Sequence, residues 1–319
     1  MKNFLKHIIL YFLLLGIITG IYLVIIWLKP EWVDNFYRRF TTPRAPSMIL
    51  GTSRPAQGIR PAIIAKELGY NGIVNHSFAI GPSSYGPNYL REISQKLDTT
   101  SRNGLFILSV DPWSLATGTE NKSDDENLFY EVRNKLFVGN LRSSSTNPNL
   151  QYLEDYWSDR FLLFVNAFKS LIHYKKRIVL HENGWLEVYL PYDTVQCNRR
   201  IKQSTAEYAA KSQMVSNTRV QYLEKIISLL KNHGKVVLVR MPVSRPMARL
   251  EEKKFPEFGR IMEEVAQRNE VRYIDFFGLS GSFTTVDTHH LYRNETGRFT
   301  EMLCDSIRDT TRKRWASTP

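Results

Sequence analysis

The stretch that most limits what this chain can become lies near its start: from Ile8 to Leu28, IILYFLLLGIITGIYLVIIWL, no charged residue interrupts the apolar run. As a helix rising ~1.5 Å per residue, that run matches the ~30 Å hydrocarbon thickness of a bilayer. A cleavable secretory leader has a shorter apolar region, ~7 to 15 residues, closed by a small-residue cleavage site. Here Lys29-Pro30-Glu31-Trp32 follows, with no Ala-x-Ala pattern and no cysteine for lipid attachment. The pattern predicts an uncleaved anchor that crosses the lipid bilayer through residues 8–28, and no comparable run follows it. Lys2 and Lys6 precede the span while Lys29, Arg38, Arg39 and Arg44 follow it, so the positive-inside rule gives no clear vote on orientation. Trp27, Trp32, Phe36 and Tyr37 cluster at its far end, where amphipathic rings can sit at headgroup level.

The rest of the chain has ample material for a packed core, since 43% of the 319 residues are hydrophobic and 12% aromatic, which excludes a disordered protein. The expected division is an anchor over 1–29, a polar, proline-containing juxtamembrane linker over 30–46, and one domain over 47–319. A net charge of +12 suits an anionic neighbour, either a lipid surface or an acidic envelope polymer. The basic residues are scattered in short runs such as Lys175-Lys176-Arg177 and Arg312-Lys313-Arg314, the pattern of solvated faces, so nucleic acid is not expected as a partner. Cys197 and Cys304 are too few for a disulfide scaffold and too far apart in sequence for a metal-binding motif; whether they pair stays open.

Short apolar runs alternate with helical patterns beyond Met48. MILG at 48–51, GIVNHSF at 72–78, LFILSV at 105–110, KVVLVRM at 235–241 and VRYIDFF at 271–277 are strand-length, rich in Val, Ile, Leu or Phe, and bounded by turn or polar residues. Helices are expected over 61–68, 85–97, 206–232, 255–268 and 296–312. That alternation predicts an α/β domain, a parallel sheet covered by helices on both faces. From about 113 to 203 the rhythm breaks, and YLEDYWSDRFLLFVNAFKSLIHY marks an insertion expected to form a cap or a partner-binding surface.

Two stretches could carry chemistry. SMILGTSRPAQGI, residues 47–59, runs a strand directly into a helix, and in a parallel α/β sheet ligands bind beyond the carboxyl ends of the strands, where Ser53 falls. Taken alone, Ser53 reads first as a helix cap, and an exposed nucleophile is the second reading. In Val286-Asp287-Thr288-His289-His290-Leu291, Asp287 and His290 are spaced so that the carboxylate can orient the imidazole while its other nitrogen faces a serine. His289 is the alternative base, and Asp-x-x-His spacing alone also suits a metal ligand pair, although no further cluster at ligand spacing accompanies it.

Together, Gly51-Thr52-Ser53 and Asp287-Thr288-His289-His290 resemble the SGNH (GDSL-like) hydrolase superfamily, with the resemblance running from about Met48 to Cys304 and specific only at its two ends. The resemblance implies a three-layer, flavodoxin-like parallel sheet, with Ser53 as nucleophile, His290 as general base and Asp287 as its orienter, and no metal or cofactor. Asn75-His76-Ser77-Phe78-Ala79-Ile80-Gly81 looks like the family's second block, which makes Gly81 and the Ser53 N–H candidates for an oxyanion hole; a tight loop needing glycine is the other reading of Gly81. Where the family carries Gly-x-Asn-Asp, this chain has Ser109-Val110-Asp111-Pro112-Trp113, and an ionised Asp111 would repel a developing oxyanion. The anchor and the altered third block are most similar to the membrane-anchored, DltD-like proteins of teichoic acid D-alanylation. That similarity implies an extracytoplasmic esterase or O-acyltransferase acting on acyl esters of an envelope glycan, with a membrane-bound acyltransferase as a further partner. The other reading is a non-catalytic envelope protein that keeps the fold and binds an acyl carrier, glycan or membrane partner through Tyr156, Trp157 and Phe161.

Overall fold

A computed structural model describes residues 2–28, 36–118, 138–155, 178–309 and 314–316. The strands are β1 Ser47–Leu50, β2 Ile73–Asn75, β3 Gly104–Ser109, β4 Ala116–Gly118, β5 Ile178–Leu180, β6 Leu186–Val188, β7 Gln213–Val215, β8 Gly234–Arg240, β9 Arg272–Gly278 and β10 Arg314–Ala316. The helices are α1 Lys2–Leu28, α2 Ser53–Gly58, α3 Pro61–Leu68, α4 Ile80–Ser83, α5 Pro87–Lys96, α6 Leu150–Asp155, α7 Thr194–Ala210, α8 Asn217–Lys231, α9 Arg245–Lys254, α10 Phe258–Arg268 and α11 Glu295–Arg308.

One sheet organises the domain, in the order β10-β9-β8-β3-β1-β2, with every neighbouring pair parallel. Its five main strands coincide with the five apolar runs, and β10 adds a short edge. Strand side chains alternate between faces. Met48, Leu50, Phe106, Leu108, Val236 and Leu238 pack into one apolar cluster beneath α5, α8 and α10. Ile49, Leu105, Ile107, Val237, Val239 and Ile274 pack into another beneath α3 and α11. Both faces of the sheet are therefore buried, which explains why these strands read as continuous apolar runs rather than as alternating ones. Burying each such side chain stabilises the fold by roughly 1.5–3 kcal/mol.

Two expectations need correction. Residues 206–232 are not one helix: α7 ends at Ala210, β7 pairs antiparallel with β4, and Ser216 then caps α8, its side chain accepting the Arg219 N–H. Nor is 30–46 a linker throughout. Tyr37 and Phe40 are buried and pack with Tyr152, so Tyr37 belongs to the core rather than to an interfacial belt. Lys96, at the end of α5, fastens this segment: its ammonium donates to the carbonyls of Arg39, Thr42 and Ser144. Burial there draws the Lys96 amine down to about 7.

α1 is long and apolar enough to cross a membrane, and its described side chains such as Leu10, Phe12 and Ile18 are exposed. Of the expected insertion over about 113–203, residues 113–118, 138–155 and 178–203 are described, among them the β5–β6 hairpin and the first part of α7. Tyr156, Trp157 and Phe161 lie outside the described residues. Cys197 and Cys304 are both free and buried, and burial pushes the Cys304 thiol up to about 12.

Candidate active site

The site forms at the carboxyl end of β1. The turn out of the strand needs Gly51: its φ is +138°, and a Cβ there would sit 2.8 Å from the Pro55 ring and 2.9 Å from the Ser109 carbonyl oxygen. Thr52 is the residue that precedes α2 in extended conformation, and Ser53 is the first helical residue. Ser53 is thus not the cap. Its half-buried hydroxyl instead lies 2.8 Å from His290 Nε2.

His290 comes from the loop between β9 and α11. A tight hairpin shapes that loop: the Val286 N–H donates to the His290 carbonyl and the Tyr292 N–H to the Thr284 carbonyl. Its outer side is pinned by Arg200 of α7, whose Nε donates to the Val286 carbonyl, and its inner side by the Ser244 N–H, which donates to the Thr288 carbonyl. Within it Asp287 Oδ1 accepts the N–H groups of His289 and His290, at 2.9 and 2.8 Å. Its other oxygen, Oδ2, lies 2.7 Å from His290 Nδ1. The result is a hydrogen-bonded chain, Asp287 to His290 to Ser53, built from residues 237 apart in sequence. Burial alone would raise the Asp287 carboxyl, but the facing His290 imidazole and the hydrogen bonds hold it well below the usual carboxylate range.

His289 takes a different place. Its Nδ1 lies 2.9 Å from the buried Thr288 hydroxyl and its ring meets the edge of Tyr208. Burial, reinforced by His290 and Arg54, holds His289 well below the ordinary histidine range, in its neutral form. Of the two histidines, His290 alone hydrogen-bonds to Ser53 among the described residues. Asp287, His289 and His290 have ligand atoms within 4.8 Å of one another, a spacing that a metal ion also accepts. Asp287 Oδ2 and both ring nitrogens of His290, however, are already engaged in the chain to Ser53.

Gly81 is exposed and is the second residue of α4, so its N–H precedes the first intrahelical bond, as the Ser53 N–H does in α2. Ile80 beside it lines the same small pocket as Ser53. Tyr89 ties the two segments together: its hydroxyl accepts the Gly51 N–H and donates to the His76 carbonyl, each at 2.9 Å. Asn75, at the end of β2, donates to the carbonyls of Pro55 and Ile59 and so anchors both ends of α2's last turn.

Asp111, after β3, spends Oδ1 on the N–H groups of Trp113 and Ser114, capping the short helical turn Pro112–Leu115. Burial raises its carboxyl, partly offset by Arg54. Arg54 in turn is bound at 2.6 Å to Glu251, a buried carboxylate that also accepts from Trp113 Nε1 and Arg240. Sequence reasoning placed Asn75 in the second block without a role for it, and missed Tyr89 and this Arg54–Glu251–Arg240 group, whose partners are joined only by the fold.

No protein-family model matches the chain, and no curated relative does. Among solved structures, the inhibitor-bound form of an aryl esterase from M. smegmatis matches at 13% identity and a TM-score of 0.31, over 84% of this chain and 99% of that one. A likeness that distant bears neither on activity nor on site residues.

Proposed function

We propose that the protein is a membrane-anchored serine esterase or O-acyltransferase, with Ser53 as nucleophile, His290 as general base and Asp287 as the group that orients the imidazole and stabilises its protonated form. The observation that carries this reading is the unbroken Asp287–His290–Ser53 hydrogen-bond chain at the carboxyl edge of a parallel sheet. Ser53 Oγ bonds to the carbonyl carbon of an ester as its proton passes to His290 Nε2. The tetrahedral adduct collapses, the ester C–O bond breaks, and the leaving alkoxide takes the proton from His290. Water or an acceptor hydroxyl then attacks the acyl-serine, with His290 again moving the proton. The N–H groups of Ser53 and Gly81 are the backbone donors to the oxyanion.

The two end motifs and the anchor support, by resemblance, an acyl-bearing envelope glycan as substrate, a membrane-bound acyltransferase as partner, and an extracytoplasmic domain. The reaction is tested by mass spectrometry after treatment with a fluorophosphonate. An adduct on Ser53 that disappears in His290→Ala is expected; a folded protein that takes up no label, or Ser53→Ala with full esterase activity, refutes it. The topology is tested with Gln203→Cys, whose side chain lies on an exposed position of α7. A membrane-impermeant maleimide should label it in intact cells, and protection until lysis places the domain inside.

A further inference from the structure

Arg54 follows the candidate nucleophile directly and is almost sealed from solvent, at 4% exposure. A guanidinium offers five N–H donors. Here Nη2 donates to Glu251 at 2.6 Å, and Asp111 faces Nε at 3.9 Å, near enough for charge but too far for a hydrogen bond. Nη1 is buried with no hydrogen-bond partner among the described residues. A buried, unpaired N–H of a charged group is costly, and the same side chain lines the pocket shared by Ser53, Asp111, Trp113 and His289.

Two cations, Arg54 and Arg240, and two anions, Glu251 and Asp111, balance within this buried group. A permanently anionic ligand would upset that balance and approach Asp111; a neutral ester that gains charge only during reaction would not. Asp111 is an acceptor and cannot bind an oxyanion, and Trp113 Nε1 is already given to Glu251. We propose that Arg54 Nη1 is a third donor to the carbonyl oxygen that becomes negative when Ser53 attacks. The inference rests on the acyl-transfer reading above. As the Ser53 Oγ–C bond forms, the carbonyl π pair moves to that oxygen and the hydroxyl proton goes to His290. Arg54 neither gains nor loses a proton, and its share of the oxyanion's charge is released when the C=O bond re-forms and the alkoxide leaves.

The test uses the detergent-solubilised full chain, p-nitrophenyl acetate and a fluorophosphonate. Arg54→Lys keeps a cation facing Glu251 but shortens its reach; Arg54→Gln removes the charge. With thermal unfolding close to the parent, Arg54→Lys should lose about 100-fold in kcat with KM within threefold, the loss typical of one oxyanion donor. Its rate of Ser53 labelling should fall in parallel. A folded Arg54 variant that labels within threefold of the parent overturns the inference and leaves the triad standing, whereas a parent that never labels at Ser53 overturns both. A measurement that needs no variant is the structure of the parent phosphonylated on Ser53. The phosphonyl oxygen is expected within hydrogen-bond distance of Arg54 Nη1, and an oxygen beyond about 4 Å refutes the role.

Discussion

Asp287→Asn isolates the charge that the carboxylate lends to His290. The substitution keeps size and leaves an oxygen able to accept the His289 and His290 N–H groups, so the loop should fold as before. What changes is the partner of His290 Nδ1, 2.7 Å away. With charge centres ~4 Å apart and an effective dielectric of ~20, a carboxylate stabilises a nascent imidazolium by about 4 kcal/mol. Removing it slows proton transfer from Ser53 by about a thousandfold. Should the new amide turn its NH₂ toward Nδ1, the imidazole is forced into the tautomer that cannot accept from Ser53, and the loss approaches ~10⁴-fold. The assay is the rate at which Ser53 acquires a fluorophosphonate near neutral pH, followed by intact-protein mass spectrometry with circular dichroism as the control for folding. A folded Asp287→Asn protein that labels less than tenfold slower would refute the argument, because neither charge nor tautomer would then depend on Asp287.

Burial outweighs the Glu92 contact and lowers His76 to about 4, so between its unfolded value and that point only the unfolded chain binds the proton. Stability should therefore fall by about 3 kcal/mol as pH drops from ~6.5 to ~4. Urea unfolding at the two ends of that window should show the slope in the parent and flatten it in His76→Gln; equal slopes would exclude His76 as the cause. Gly51→Ala places a methyl against Pro55 and the Ser109 carbonyl at φ +138°. It should cost about 2–3 kcal/mol in urea unfolding and slow Ser53 labelling, and an unchanged midpoint would show that the turn yields. Glu187 accepts from His181 and Tyr189 at 2.9 Å and faces Arg293 at 3.4 Å, so Glu187→Ala should free the β5–β6 hairpin to proteolysis at a cost of about 1–2 kcal/mol; an unaltered digestion pattern would count against that restraint.

What could be read from the sequence was whatever local pattern determines. The five main strands are visible because burial on both faces makes each an apolar run, and Ser53 and Asp287-x-x-His290 stand out because each motif is local even though their meeting is not. The break at 211–216 carries neither proline nor glycine to announce it; Ser216 before Asn217-Thr218 is the cap signal that marks it. Tyr37 and Phe40 sit in a stretch that reads as polar because their partners, Tyr152 and Phe78, lie in other segments. Arg54 reads as an ordinary helix residue until Glu251 is brought beside it from 197 positions away. In the sequence Asp111 reads only as a missing amide; its capping bonds and its facing guanidinium depend on the fold.

The burial of Tyr37 and Phe40 also sets a leash. Only residues 29–36 separate the end of α1 from a segment locked into the domain. Fully extended, that stretch reaches about 30 Å at most. With α1 in a bilayer, the domain would patrol a thin shell beside the lipid surface, and encounter would become a two-dimensional search. On the acyl-transfer proposal, acyl groups attached to lipids or to membrane-bound carriers would lie permanently within range. A polymer chain would have to bend back to the membrane to be modified, so the distance between anchor and core would decide which part of a long substrate the protein could touch.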